Sequence, residues 1–127
     1  MCGVLGFCDR VGDIRNKRQN LSQALKTLSH RGPDAFGEYY WNQVYFGHKR
    51  LSIIDLSSAA DQPFHFSNEQ VAIVFNGEIY NYKELATTLP PMITSSDTEV
   101  ILRGYLCYGI DFFEKLRGIF ALAIYDY

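Results

Sequence analysis

Apolar positions change their spacing several times along the chain, and each change marks a predicted element. Residues 4–8 form a short, glycine-punctuated apolar run, which predicts a buried strand. Leu21, Ala24, Leu25 and Leu28 then recur at i, i+3, i+4 and i+7, one stripe of an amphipathic helix. His30-Arg31-Gly32-Pro33-Asp34 ends that helix, because glycine suits a helix C-terminus and proline cannot continue it. Residues 37–41 and 44–48 flank the turn-forming pair Asn42-Gln43 and predict a hairpin. Residues 51–56 add another apolar run to this strand-rich middle. A polar loop around Gln62-Pro63 leads to residues 71–75, five apolar positions that predict a strand buried on both faces and broken by Asn76-Gly77.

The second half is richer in helix. Residues 82–89 predict a short helix stopped by Pro90-Pro91. Ser96-Asp97-Thr98-Glu99 spells a capping box, with Ser96 at the N-cap and Glu99 reaching back from the third helical position. The helix it opens carries Val100, Ile101, Leu102, Tyr105 and Leu106 and ends near Gly109. A second short helical piece precedes a final strand over residues 118–127. Strands in runs and helices in runs, with little strict alternation, predict an α+β protein with packed antiparallel sheets. The apolar final strand has no turn or polar tail after it, which predicts a domain truncated on its C-terminal side. It also predicts an exposed sheet edge that pairs with a second copy as a homodimer.

Composition narrows the class. With 127 residues the chain is read as one domain over 1–127, and 47% hydrophobic against 20% charged residues excludes disorder and a coiled-coil rod. Twelve Lys and Arg against fourteen Asp and Glu leave a net charge of −2, so the electrostatic footprint of a nucleic-acid binder is missing. The longest apolar stretch, residues 119–125, is too short to span a bilayer, so no membrane partner is expected. The opening Met-Cys-Gly-Val-Leu-Gly-Phe lacks a signal-peptide pattern, which points to the cytoplasm. Cys2, Cys8 and Cys107 form no C-x-x-C pair, and His30, His48 and His65 lack ligand spacing, so neither a disulfide scaffold nor a metal site is expected.

Four places carry candidate chemistry. A thiol with pKa near ~8.5 needs a base to become a nucleophile. If Met1 is removed, Cys2 brings its own base, an α-amine of pKa about 7.7–8.0. If Met1 stays, that nitrogen is a peptide and the base is gone. Arg50, inside Arg50-Leu51-Ser52-Ile53-Ile54-Asp55, offers a planar fork suited to a carboxylate. Asn76 with Gly77 offers a side-chain donor beside a closely approachable backbone N–H, the makings of an oxyanion hole. Asp97 stands at a helix start. Read singly, each has an ordinary alternative: a small apolar cysteine, a surface arginine, a hairpin turn and a helix-dipole partner.

Taken together and in order, these residues are more specific. The phrases are Met1-Cys2-Gly3 with Gly6-Phe7, His30-Arg31-Gly32-Pro33-Asp34 with Gly37, and residues 47–55 and Gln62-Pro63. They continue through residues 74–82, 96–101 and 118–126. They resemble the glutaminase (class II glutamine amidotransferase) domain of the asparagine synthetase family over the whole chain. The resemblance implies an N-terminal-nucleophile hydrolase fold, a four-layer α/β/β/α sandwich of antiparallel sheets. It implies that Cys2 attacks the side-chain amide of glutamine, releasing ammonia and leaving a thioester that water resolves. Asn76 and Gly77 would form the oxyanion hole, and Arg50 would hold the substrate α-carboxylate. Asp97 with Glu78 would face the α-ammonium, and the backbone of Leu51, Ser52, Ile53 and Ile54 would line the pocket. Arg50-Leu51-Ser52-Ile53 points to the asparagine-synthetase branch. No cofactor is implied for this domain; ATP and Mg belong to the synthetase domain that family chains carry beyond it, the implied partner and acceptor of the ammonia. The competing reading is a folded association module without turnover.

Overall fold

The structure, a computed structural model, describes residues 2–67 and 70–127. The state of Met1, on which the free amine of Cys2 depends, lies outside the described residues. The chain runs β1 (Gly3–Cys8), α1 (Arg18–Thr27), β2 (Ala35–Trp41), β3 (Val44–Arg50), β4 (Phe64–His65), β5 (Val71–Ile79), α2 (Tyr82–Ala86), α3 (Asp97–Tyr108) and β6 (Gly118–Asp126). Two antiparallel three-stranded sheets result, ordered β1-β3-β2 and β4-β5-β6.

Strand alternation sorts the side chains into three cores. Val44 and Phe46 of β3 and Ala72 and Val74 of β5 meet with Trp41 between the sheets. Tyr45 points the other way and packs with Ile14 and Leu21, beneath α1. Ile73, Phe75 and Ile79 turn to the far side of β5 and pack under Val100, Ile101 and Leu102 of α3 and Phe112. Period two on the strands therefore requires apolar cover on both faces of each sheet. Full burial of such side chains contributes about 1.5–3 kcal/mol each.

The predicted hairpin forms, with Asn42 at φ 37° and Tyr40 opposite Tyr45. The stripe of α1 is seated by Leu21 and Leu25. Other expectations are corrected. β1 is half-exposed instead of buried, because β3 is its one strand neighbour among the described residues. Asn76-Gly77 does not break β5; the strand runs through it to Ile79, because β6 supplies ladder partners for both residues, Ala121 and Phe120. Long-range pairing overrides the turn preference of Asn-Gly. Residues 51–56 are no strand but a loop after β3, with Ile53 and Leu56 largely exposed. The helix before Pro90-Pro91 is shorter than residues 82–89, ending at Ala86 before turns through Leu89. Only half of the capping box forms. Ser96 Oγ accepts from the Glu99 amide, but the Glu99 carboxylate turns away to the Ile93 and Thr94 amides.

Candidate active site

Where β3 leaves its sheet, the 51–57 loop crosses toward the start of α3, and a small cleft of about 140 Å³ opens between them. Its walls include Cys2, Arg50, Leu51, Ile53 and Ile54 on one side and Gly77, Glu78 and Asp97 on the other. Eight of the sequence-predicted residues thus come together, from segments as far apart as positions 2 and 97. Ser52 and Asn76 do not line it. The Ser52 amide is spent on Asp34 Oδ2 at 2.7 Å. Asn76 lies between two lining residues, but its Oδ1 is buried with no partner among the described residues.

Cys2 sits just before β1, which is registered on β3 with Gly3 opposite Lys49. That register brings its sulfur to the Leu51 backbone. The Leu51 amide approaches Sγ at 3.4 Å, and Sγ lies 3.7 Å from the Leu51 carbonyl. The Leu51 amide thus points at the sulfur, and the Leu51 carbonyl accepts from the thiol.

Arg50 is buried and heavily committed. Nη1 donates to Ser57 O at 2.8 Å and Asp61 Oδ1 at 2.6 Å, and Nη2 donates to Asp55 O. Of its five donors, Nε–H and one Nη2–H remain without a partner among the described residues, enough for one carboxylate. Across the cleft Asp97 is also buried, with Oδ2 accepting from the Ile79 amide at 3.1 Å. Burial raises its carboxyl above the ordinary range, and the Glu78 charge pushes the same way against the hydrogen bond from Ile79. A cation placed between these carboxylates relieves both effects. The cleft accordingly gathers a guanidinium, two acids and a thiol in one lining.

Gly77 is required by close packing. A Cβ there would collide with the Ile119 carbonyl and the Phe120 Cα of the paired strand, and its φ is 158°.

Several supporting residues were missed in the sequence. Gln62 ties the cleft floor together, accepting from the Phe75 amide at 2.6 Å and donating to Thr98 Oγ1 at 3.2 Å. Gln62-Pro63 was legible as a motif without a role. His48 is fully buried and places Nε2 3.2 Å from Phe75 O, one residue before Asn76. Burial pulls its pKa down to about 4, so Nε2 is the donor of a neutral ring. Glu99 is also fully buried, and burial alone would raise its carboxyl. Hydrogen bonds from Ile93, Thr94 and Arg103 outweigh that and hold it below the ordinary value. Among the described residues no cluster of His, Cys, Asp and Glu suits a metal ion, and no helix is long and apolar enough to cross a membrane.

A family model described as a glutamine amidotransferase domain matches residues 1–127. An asparagine synthetase [glutamine-hydrolyzing] of Triphysaria versicolor is 38% identical over 128 residues, covering 99% of this chain and 22% of that protein. An asparagine synthetase [glutamine-hydrolyzing] of Bacillus subtilis is 39% identical over 132 residues, 99% of this chain and 21% of that protein. A Gibberella zeae protein described as an amidase is 36% identical over 140 residues, again 99% and 21%. The chain therefore spans about a fifth of the length of the curated relatives it matches. With the family model matched from end to end and the cleft built from the same residues, the chain belongs to the class II glutamine amidotransferase family.

Proposed function

We propose that this domain hydrolyses glutamine to glutamate and ammonia through a thioester on Cys2. The observation that carries the reading is the cleft itself, which brings a thiol, the Arg50 guanidinium and the acids Asp97 and Glu78 into one lining. A zwitterionic amino acid needs one fixed cation and one fixed anion, and that pair sets the side-chain amide against the sulfur. The reaction begins when the α-amine of a processed Cys2 takes the thiol proton and Sγ attacks the amide carbon. The tetrahedral oxyanion falls to the Gly77 N–H, which lines the cleft, and to the Asn76 side chain beside it, whose Oδ1 is buried and which reaches the oxyanion only by turning toward the cleft; such donors matter most in the transition state. Collapse breaks the C–N bond, ammonia leaves with the proton, and water cleaves the thioester to glutamate.

The order of layers supports the four-layer sandwich of N-terminal-nucleophile hydrolases, since α1 and α3 cover the outer faces of the two sheets. The ammonia would serve an ATP-dependent amidation of the asparagine-synthetase kind, carried out by a synthetase domain of a longer parent chain.

The test is Cys2→Ala in the processed protein, read by ammonia release and by calorimetric glutamine binding. Activity should vanish while binding persists, because Arg50 and Asp97 are untouched. Loss of binding together with activity refutes the division of labour between sulfur and charged ends.

A further inference from the structure

The loop that walls the cleft has no regular secondary structure, yet it is fixed at both ends. At its start, the Asp34 amide donates to Arg50 O at 3.0 Å while Asp34 Oδ2 accepts from Ser52 N. At its end stands Asp55, with a left-handed φ of 53°. Each of the three oxygens of Asp55 serves a different element. Oδ1 accepts from the Ser57 amide at 2.9 Å and its hydroxyl at 2.6 Å, closing the loop on itself. Oδ2 accepts from the Ser95 amide at 2.8 Å and its hydroxyl at 3.2 Å, forty residues away. The carbonyl accepts from Arg50 Nη2.

Ser95 immediately precedes Ser96 and Asp97, which line the opposite wall. The bond from Asp55 to Ser95 therefore ties the loop that follows Arg50 to the segment that leads into Asp97. One residue that does not line the cleft ties the Arg50 side to the Asp97 side and orients the guanidinium by its own carbonyl. The left-handed backbone is what lets both the carboxylate and the carbonyl point inward to these partners, a conformation that a non-glycine residue holds only when its surroundings determine it.

We propose that Asp55 is a positioning residue for glutamine, a staple across the cleft that holds Arg50 and Asp97 at the separation an amino-acid zwitterion requires. The inference rests on the glutaminase reading above and adds a residue to it. Its signature is a KM effect. The staple sets the spacing of the groups that hold the charged end, whereas the sulfur is held independently by Leu51.

The decisive comparison is Asp55→Asn against the unsubstituted processed protein, measured by the glutamine dependence of ammonia release and by amide hydrogen exchange at Ser95. Asparagine keeps the shape and the carbonyl but loses one acceptor oxygen, so one serine pair must break. KM should rise about tenfold or more, the scale on which misplacement of binding groups is felt. In the same comparison kcat should stay within about threefold, and Ser95 should lose exchange protection. Ser95→Ala, which removes only the 3.2 Å hydroxyl bond, should move KM the same way by a smaller factor; it carries the test if Asp55→Asn does not fold or keeps Ser95 protected by turning its one oxygen there, and an unmoved KM in Ser95→Ala then overturns the proposal. An unmoved KM with Ser95 deprotected overturns the proposal. So does a fall in activity that merely follows the folded fraction. If the unsubstituted protein releases no ammonia from glutamine, the glutaminase reading fails, and this inference fails with it.

Discussion

Replacing Glu99 by alanine should be among the most destabilising single changes in the protein, and the reason can be worked atom by atom. The carboxylate is fully buried. Oε2 accepts from the Thr94 amide at 2.6 Å and the Thr94 hydroxyl at 2.7 Å. Oε1 accepts from Arg103 Nε at 2.6 Å, and both oxygens share the Ile93 amide at 2.9 and 3.1 Å. Alanine leaves those donors unpaired and the Arg103 charge without its counterion, a class of change that costs about 3–5 kcal/mol. Arg103 is 15% exposed and its guanidinium lies 4.6 Å from the centre of the Phe66 ring, so part of its charge finds other support. The lower half of that range is therefore expected. Glu99→Gln keeps the shape and loses the charge, and should cost about 1.5–3 kcal/mol, the size of a charge-assisted hydrogen bond. Urea and thermal unfolding read both values, and Tm should fall by roughly 4 °C per kcal/mol. The pH dependence supplies a second check. Because the folded carboxyl lies below its ordinary value of 4.5, its contribution is present above pH 4.5 and fades as the pH falls below it. Glu99→Gln should flatten that acid slope. A loss under about 1 kcal/mol for Glu99→Ala would show that the carboxylate is dispensable to the 93–96 turn and would refute the reasoning.

Two further outcomes are expected. Asn76→Ala should lower kcat by about 10²–10³-fold with a smaller change in KM, the usual cost of losing one oxyanion donor; a drop of tenfold or less in steady-state kinetics would leave Asn76 a strand residue without that role. His48 has its folded pKa lowered from 6.5 to about 4, so the unfolded chain binds the extra proton between those values and stability falls as pH drops from 6.5 toward 4. The full loss should be on the order of 3 kcal/mol, and His48→Phe should remove this slope in unfolding measured across that window; an unchanged slope would place the titration elsewhere.

What the chain determined locally was the set of elements and their faces. The i, i+3, i+4, i+7 stripe placed α1, the Asn42-Gln43 turn placed the β2–β3 hairpin, and the apolar run at residues 71–75 announced a strand covered on both sides. The order of motifs was enough to indicate the family, because residue type at fixed spacing is local information, and eight of the ten residues singled out there line one cleft. What only tertiary structure decided were the outcomes that depend on a distant partner. Asn76-Gly77 reads as a turn until β6 offers ladder partners, and then it is strand. Residues 51–56 read as one more apolar run in a strand-rich middle, and among the described residues no strand pairs with them; side chains of Asp34, Arg50 and Asp55 hold them as a loop instead. Glu99 reads as a capping-box acid until the Ile93 and Thr94 amides and Arg103 compete for its oxygens. Each of these depends on a hydrogen-bonding group that must find a partner once buried, and which partner arrives is set by how the sheets and helices pack.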